Sequence, residues 1–101
     1  MSQENKDDAS PRRAERRKSM MQRLREAQEQ FEELTGLEVE GASGIERSGD
    51  GWQLTFETLE LRRVPDTVSL LATYSVELDS EGEIQGYRRT KRYTRGRSDG
   101  P

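Results

Sequence analysis

Residues 70–94 read LLATYSVELDSEGEIQGYRRTKRYT, and they decide the fold. Apolar side chains occupy every second position at the start of this stretch: Leu70, Ala72, Tyr74, Val76 and Leu78. This period of two predicts a β-strand with one buried face. Residues 79–83 are acidic around a glycine and predict a turn, after which residues 84–94 return as a second strand. The stretch therefore predicts the last two strands of an antiparallel sheet.

Another strand precedes this pair. Trp52, Leu54 and Phe56 alternate with polar neighbours, again the period of a half-buried strand. The alternation shifts by one residue after Thr58, which indicates a bulge or a change of packing environment. Pro65 and the aspartate after it end the strand. Because tryptophan is highly buried on average, we expect Trp52 to lie in the core or at its edge.

The first strand is the weakest of the four. Residues 37–47 have strand character, but Gly41 and Gly44 interrupt them and predict a bend or a bulge. Residues 48–51 (SGDG) predict a tight turn into the next strand. Since all the turns are short, strands that are neighbours in sequence should be neighbours in the sheet. The four strands therefore form an antiparallel meander.

One helix precedes the sheet. Ser19, with Gln22 three residues later, is a capping-box pattern at its start. Apolar residues then repeat at spacings of four and three: Met20, Leu24, Ala27, Phe31 and Leu34. Gly36 stands where the residue after a helix end is usually found. The stripe is too short for a stable coiled-coil dimer, so we expect it to pack on the protein's own sheet, in a monomer.

These elements predict an α+β domain, with one N-terminal helix packed on a four-stranded antiparallel meander. Residues 1–18 are polar and highly charged and predict a disordered tail, residues 19–97 form the domain, and residues 98–101 form a flexible C-terminus. No apolar run is long enough to span a bilayer, and the N-terminus lacks the apolar region of a signal peptide. We therefore expect a cytoplasmic protein that does not enter a membrane.

The amino-acid composition disfavours catalysis. The chain contains no cysteine and no histidine among its 101 residues. Disulfides, thiolate nucleophiles, Cys/His zinc sites and histidine-based triads are therefore excluded. An enzyme would have to use Asp, Glu, Lys, Tyr or Ser alone, and no arrangement of these residues is specific. We expect a binding protein with no catalytic residue, no metal and no cofactor.

The net charge of −3 conceals a strong partition along the chain. Residues 26–83 hold fifteen acidic and three basic side chains, whereas residues 84–97 hold six basic and no acidic ones. These cations could pair with neighbouring carboxylates. The strand expected beside them carries only Glu77 and the adjoining Asp79, too few to neutralise them. A surface for an acidic partner is therefore favoured. The candidate partner-binding residues are Arg88, Arg89, Lys91, Arg92 and Arg95, together with Arg62 and Arg63.

Nucleic acid is a second possible partner. Arginine and lysine interleaved with Tyr87 and Tyr93 suit phosphate contact and base stacking. By simple alternation, Tyr87, Arg89, Lys91 and Tyr93 share one face, so both faces of the strand are charged. The pI of about 5.1 is low for a nucleic-acid-binding domain, for which values above about 9 are typical. Protein is thus the favoured partner, with nucleic acid the alternative.

Six short runs together resemble a known family. They are residues 34–36 (LTG), 51–52 (GW), 60–67 (ELRRVPDT), 71–76 (LATYSV), 86–89 (GYRR) and 92–96 (RYTRG). In this order and at this spacing they resemble the gas vesicle protein O family in its actinobacterial form. The resemblance spans about residues 20–97, and the tail ahead of residue 20 carries none of it. The last two strands also resemble a PepSY-type module, which hints at peptide or protein binding.

The family resemblance implies a role in forming gas vesicles, the gas-filled protein shells that give microbes buoyancy. It implies an accessory protein of vesicle assembly, neither an enzyme nor the main shell protein. Its expected partners are other gas vesicle proteins, and its expected place is the cytoplasm, in association with vesicles. The alternative is a regulator of vesicle gene expression that binds nucleic acid. Neither reading identifies which vesicle protein is bound.

Overall fold

The computed structural model describes residues 20–97. A helix, α1, occupies residues 20–35. Four strands follow it: β1 (Glu38–Ser48), β2 (Gly51–Leu61), β3 (Leu70–Leu78) and β4 (Ile84–Thr94). Short 3-10 turns lie at Asp66–Val68 and Arg95–Arg97.

The strands form one antiparallel sheet in the order β1-β2-β3-β4, so the predicted α+β meander is confirmed. The last strand has the predicted bounds. The expected helix start at Ser19, the tail at residues 1–18 and the terminus at residues 98–101 lie outside the described residues. Within residues 20–97, no helix is long and apolar enough to cross a bilayer.

The core lies between α1 and one face of the sheet, which we call the helix-side face. Its fully or nearly fully buried members are Ala27, Phe31, Leu54, Phe56, Val76 and Leu78. Phe31 is the central residue of this core. Its ring lies 5.5 Å from that of Phe56, 5.2 Å from that of Tyr74 and 5.3 Å from that of Tyr87, each edge to face. Such pairs stabilise a core beyond the area that they bury.

The predicted apolar stripe of α1 packs on the sheet except at its C-terminal end. Leu34 is 57% exposed, so the expectation that it packs on the sheet is wrong. Met20 is 41% exposed but lines a small apolar cavity together with Ile45 and Trp52 of the sheet. The helix ends directly after Leu34, at Gly36, whose φ is 75° and whose N–H donates to the Glu32 carbonyl at 2.8 Å. The predicted helix end at Gly36 is confirmed. Leu37, just beyond this turn, packs against the core.

Bulges change which side chains share a face of the sheet. In β1 the register skips Glu40 and Ser43, which confirms the irregularity predicted from the two glycines of that strand. In β2 it skips Glu60, close to the predicted shift after Thr58. In β4 it skips Gln85 and Thr90, which no sequence pattern indicated.

The β4 bulges overturn the grouping expected from simple alternation. Tyr87, Arg89 and Arg92 lie opposite Val76, Tyr74 and Ala72 of β3, on the helix-side face. Arg88, Lys91 and Tyr93 lie opposite Ser75, Thr73 and Leu71, on the other face, which we call the outer face. Arg89 and Lys91 therefore do not share a face, because the extra residue between them reverses the alternation.

Trp52 lies at the edge of the core. It is half-buried and packs against the core residues, as predicted. The Arg47 guanidinium stacks on its ring, 4.6 Å from the ring centre. The adjoining Gly51 is buried, and a Cβ at this position would overlap the Leu78 carbonyl. The close approach of β2 to the end of β3 therefore requires glycine at this point.

Candidate partner-binding surface

Two of the candidate arginines share one carboxylate. Arg89 and Arg92 pair with Glu60 at 3.0 Å and 2.9 Å, one arginine on each of its carboxylate oxygens. The Glu60 side chain is only 11% exposed, so it is largely enclosed by these contacts. Its position follows from the β2 bulge, where Glu60 is the residue that the register skips. These two arginines are thus engaged inside the molecule.

A second cluster joins the end of the chain to β1. Both terminal nitrogens of Arg95 donate to the Glu40 carboxylate, at 3.0 Å and 2.7 Å, and its Nε lies 2.8 Å from Asp66. The hydrogen bonds to Glu40 raise the pKa of Arg95 above its ordinary value. Arg62 lies 3.6 Å from Glu38 and 4.0 Å from Asp66. This cluster fastens the β2–β3 loop and the C-terminal 3-10 turn to β1.

The carboxylates that pair with the basic strand therefore come from β1, β2 and the loop after β2, and none comes from β3. The sequence analysis weighed the charges of β4 only against those of its neighbour, the third strand. It did not consider these carboxylates, because they lie two or three strands away from β4. Arg89, Arg92 and Arg95 are neutralised by these contacts to a greater extent than the sequence indicated.

Arg88 and Lys91 differ from the other cations of β4, and we call them the outer basic pair. Both are exposed on the outer face. Within residues 20–97, no carboxylate lies within 4.0 Å of either side chain. The Lys91 ammonium lies 5.0 Å from the ring centre of Tyr93. These two charges therefore remain available to a partner.

Arg88 borders a shallow polar depression on the outer face. The depression is lined by Gln53, Ser75, Glu77, Gly86, Tyr87 and Arg88. Gln53 donates to the Ser75 hydroxyl at 2.9 Å, so these two side chains already hold each other in place. A Cβ at Gly86 would meet no atom within 4 Å, so this side of the depression is open. The depression offers the Arg88 cation and neutral hydrogen-bonding groups, but the Glu77 carboxylate also lines it, so only the Arg88 side of the depression suits a carboxylate.

Arg63 is the remaining candidate. It is exposed in the β2–β3 loop, apart from the outer basic pair in sequence. Its backbone N–H donates to the Ser69 hydroxyl at 2.9 Å. Its guanidinium makes no ion pair with the described carboxylates. The structure thus divides the seven candidates into paired residues (Arg62, Arg89, Arg92 and Arg95) and residues without a described ion pair (Arg63, Arg88 and Lys91).

Sequence reasoning missed Glu57, which organises the outer face. Its carboxylate accepts hydrogen bonds from Ser43, Thr73 and Tyr93, each at 2.7 Å. The donors come from β1, β3 and β4, and Glu57 itself belongs to β2. This one side chain therefore connects all four strands. The alternation of β2 places Glu57 at a polar position and indicates only that its side chain faces solvent. It does not indicate that three side chains of other strands donate to it. Ser43 reaches Glu57 because it is a bulge residue.

This network fixes the charges beside the outer basic pair. Burial on its own would raise the pKa of Glu57. The hydrogen bonds from Tyr93, Thr73 and Ser43, with the charge of Lys91, outweigh it and bring the pKa below its ordinary value. Burial, together with the hydrogen bond to Glu57, raises the pKa of Tyr93 to about 12. At neutral pH the carboxylate is therefore ionised and the tyrosine protonated.

Comparisons with known proteins place the chain in a family. The sequence model described as gas vesicle synthesis protein GvpO matches residues 6–99. The chain belongs to the gas vesicle protein O family. The matched region also begins ahead of Met20, so it extends into the tail, to which the resemblance was not expected to reach. The family resemblance inferred from the short runs is confirmed.

Curated relatives include both actinobacterial and archaeal members of this family. A Streptomyces gas vesicle protein O is 62% identical over 81 residues, covering 80% of this chain and 63% of the relative. A Haloferax mediterranei gas vesicle protein O is 41% identical, covering 69% and 51%. Gas vesicle protein O1 of Halobacterium salinarum is 34% identical, covering 69% and 59%.

The chain therefore spans between about half and under two thirds of the length of these relatives. No solved structure matches it. The resemblance of the last two strands to a PepSY-type module stays a prediction, as do the domain boundaries.

Proposed function

We propose that this protein is a non-enzymatic accessory factor of gas vesicle formation, acting as an adaptor that binds an acidic surface of another vesicle protein. The family match supports the role in vesicle formation. We further propose that it acts as a monomer in the cytoplasm, in association with vesicles.

The observation that carries the adaptor proposal is the contrast within β4. The five consecutive residues 88–92 include two arginines that share Glu60 and two cations, Arg88 and Lys91, that have no described ion-pair partner. Charges that stabilise the fold are normally paired with a carboxylate of the same chain. Exposed, unpaired cations of one sign on one face instead attract a partner of opposite charge and orient it during encounter.

A matched pair of double variants tests this proposal. R88Q/K91Q removes the outer basic pair, and R89Q/R92Q removes the paired arginines, with the same change in net charge on the same strand. Tagged full-length protein is used to capture vesicle proteins, which are identified by mass spectrometry. We expect R88Q/K91Q to lose the vesicle protein and R89Q/R92Q to retain it. Equal loss in both variants would mean that only net charge matters, and retention in R88Q/K91Q would contradict the proposal.

Circular dichroism spectra of both variants control for folding. A gel-shift titration with promoter DNA of the vesicle genes, at increasing salt, tests the nucleic-acid alternative. We expect no shift at physiological salt, because internal pairing leaves few cations within residues 20–97 for phosphate contacts. A sequence-specific shift that R88Q/K91Q abolishes would replace the adaptor by a regulator.

A further inference from the structure

β4 is an edge strand of the sheet, with β3 on one side. Residues 88–92 of this strand are all exposed, although their side chains lie on both faces of the sheet. Their alternation between the faces is interrupted only at the Thr90 bulge. Within the described part of the chain, no helix or strand covers its other side. Backbone N–H and C=O groups along such an edge are available to pair with another strand.

The side chains along this edge define what a pairing strand would meet. On the outer face, Arg88 and Lys91 lie opposite Ser75 and Thr73, two residues apart on β3. The Thr90 bulge thus brings them to the spacing of alternate residues in a regular strand. Two acidic residues separated by one position would match this spacing. Glu57 and Glu77 also lie on this face, but on β2 and β3, whereas Arg88 and Lys91 are the charges on the edge strand itself. The edge therefore favours acidic side chains at alternate positions of an added strand.

The helix-side face of the same edge is different in character. Tyr87 is 45% exposed, while its ring packs against Phe31 and lies 6.2 Å from the Tyr74 ring. Beyond it, Arg89 and Arg92 are already paired with Glu60. An added strand would therefore place an apolar side chain against the exposed part of Tyr87. Aromatic and β-branched side chains are the usual neighbours of such a residue across two strands.

We infer that an extended segment of the partner, with acidic residues alternating with apolar ones, adds to β4 as a fifth strand. This inference rests on the proposed adaptor function and specifies its binding mode: backbone hydrogen bonds supply affinity and the alternate side chains supply specificity. Charges and bulges on an edge strand also discourage indiscriminate sheet pairing. The outer basic pair thereby excludes neutral and basic strands and admits an acidic one.

The opposite edge of the sheet does not offer the same site. β1 carries Glu38, Glu40 and Glu46 and only one cation, Arg47. An acidic segment would meet like charges along this strand. A second copy of the chain, pairing its β1 with β4, is the competing occupant, and sedimentation separates it from a partner segment.

The probe is a fluorescein-labelled peptide of alternating glutamate and valine residues, flanked by glycine and serine, with the full-length protein as receptor. Two further peptides carry N-methyl groups on all glutamate amides or on all valine amides. In a strand, alternate residues direct their backbone groups to opposite sides, so only one of these two peptides keeps the amides that face β4. Anisotropy titrations give the Kd of each peptide.

We expect one N-methylated peptide to bind about tenfold or more weakly than the parent and the other to bind like the parent, because several backbone hydrogen bonds are lost in only one of them. A peptide with lysine in place of glutamate should not bind, and R88Q/K91Q should bind the parent weakly while R89Q/R92Q binds it normally.

Equal binding of both N-methylated peptides would overturn strand addition while leaving the adaptor proposal in place. Undiminished binding to R88Q/K91Q would overturn both. Absence of binding by the parent peptide would overturn the inferred ligand chemistry. Sedimentation showing that the protein self-associates at the concentrations used, and that the peptide does not compete, would identify a second copy as the occupant and would also overturn the inference.

Discussion

Glu60→Gln should destabilise the fold and at the same time strengthen binding to an acidic partner. Glu60 pairs with Arg89 and Arg92 at 3.0 Å and 2.9 Å, and these two arginine side chains are 44% and 54% exposed. Exposed ion pairs contribute about 0.2–1 kcal/mol each, so removal of the shared charge should lower the free energy of unfolding by about 0.5–2 kcal/mol. For a domain of this size, about 1 kcal/mol corresponds to about 4–8 °C in Tm.

Binding should change in the opposite direction, because the variant frees two cations beside the outer basic pair and raises the net charge by one. Affinity for an acidic peptide should therefore rise, mainly through the association rate, and the gain should shrink as salt is added. Urea unfolding followed by tryptophan fluorescence measures stability, since Trp52 is the single tryptophan and is half-buried. Anisotropy titrations measure the affinity.

Glu46→Gln is the matched control, with the same chemical change on an exposed strand position that has no described ion pair. Its stability should stay within about 0.5 kcal/mol of the parent. The reasoning is refuted if Glu60→Gln is as stable as this control at low salt, or if its affinity for the acidic peptide falls.

Three further predictions concern the core, the contact between β2 and the end of β3, and the pH dependence. Phe31→Ala should lower the free energy of unfolding by about 3–5 kcal/mol, measured by urea unfolding, whereas Leu34→Ala at an exposed position should cost far less. Gly51→Ala should also destabilise, because its methyl group would overlap the Leu78 carbonyl; an unchanged urea midpoint would contradict this close approach of β2 to the end of β3. Because the pKa of Glu57 is lower in the folded state, its contribution to stability is present above the ordinary carboxyl pKa and is lost as pH falls through the folded value. Glu57→Gln should therefore flatten the acid limb of the stability–pH curve, and an identical acid limb would show that the hydrogen bonds to this carboxylate do not matter.

The fold was predictable where side-chain alternation and turn residues agree. β3 follows its apolar alternation. β4 begins and ends where predicted, because its basic residues differ sharply in composition from the acidic turn that precedes it. The helix end at Gly36 could be predicted because glycine adopts a positive φ without strain. The exposure of Leu34 could not be predicted, since helical periodicity does not show where the covering sheet ends.

The sequence predicted which residue types form the candidate site, but not which of its cations pair with carboxylates of the same chain. The charge count located the basic strand, yet it could not show that Glu60 and Glu40, from other strands, neutralise part of it. These contacts depend on bulges, which place a side chain out of the regular register. The bulge at Thr90 was also invisible, because its neighbours are all charged or polar and no apolar pattern marks the shift. Only the structure therefore separates Arg88 and Lys91 from the arginines beside them.

The most direct test of the central claim is complementation of vesicle formation by the two double variants. In a vesicle-forming host that lacks the gene, the parent protein and R89Q/R92Q should restore gas vesicles, counted by electron microscopy. R88Q/K91Q should not restore them, although it accumulates to the same level in immunoblots. Vesicles restored to the parental number by R88Q/K91Q would contradict the claim that the outer basic pair is the surface through which the protein acts.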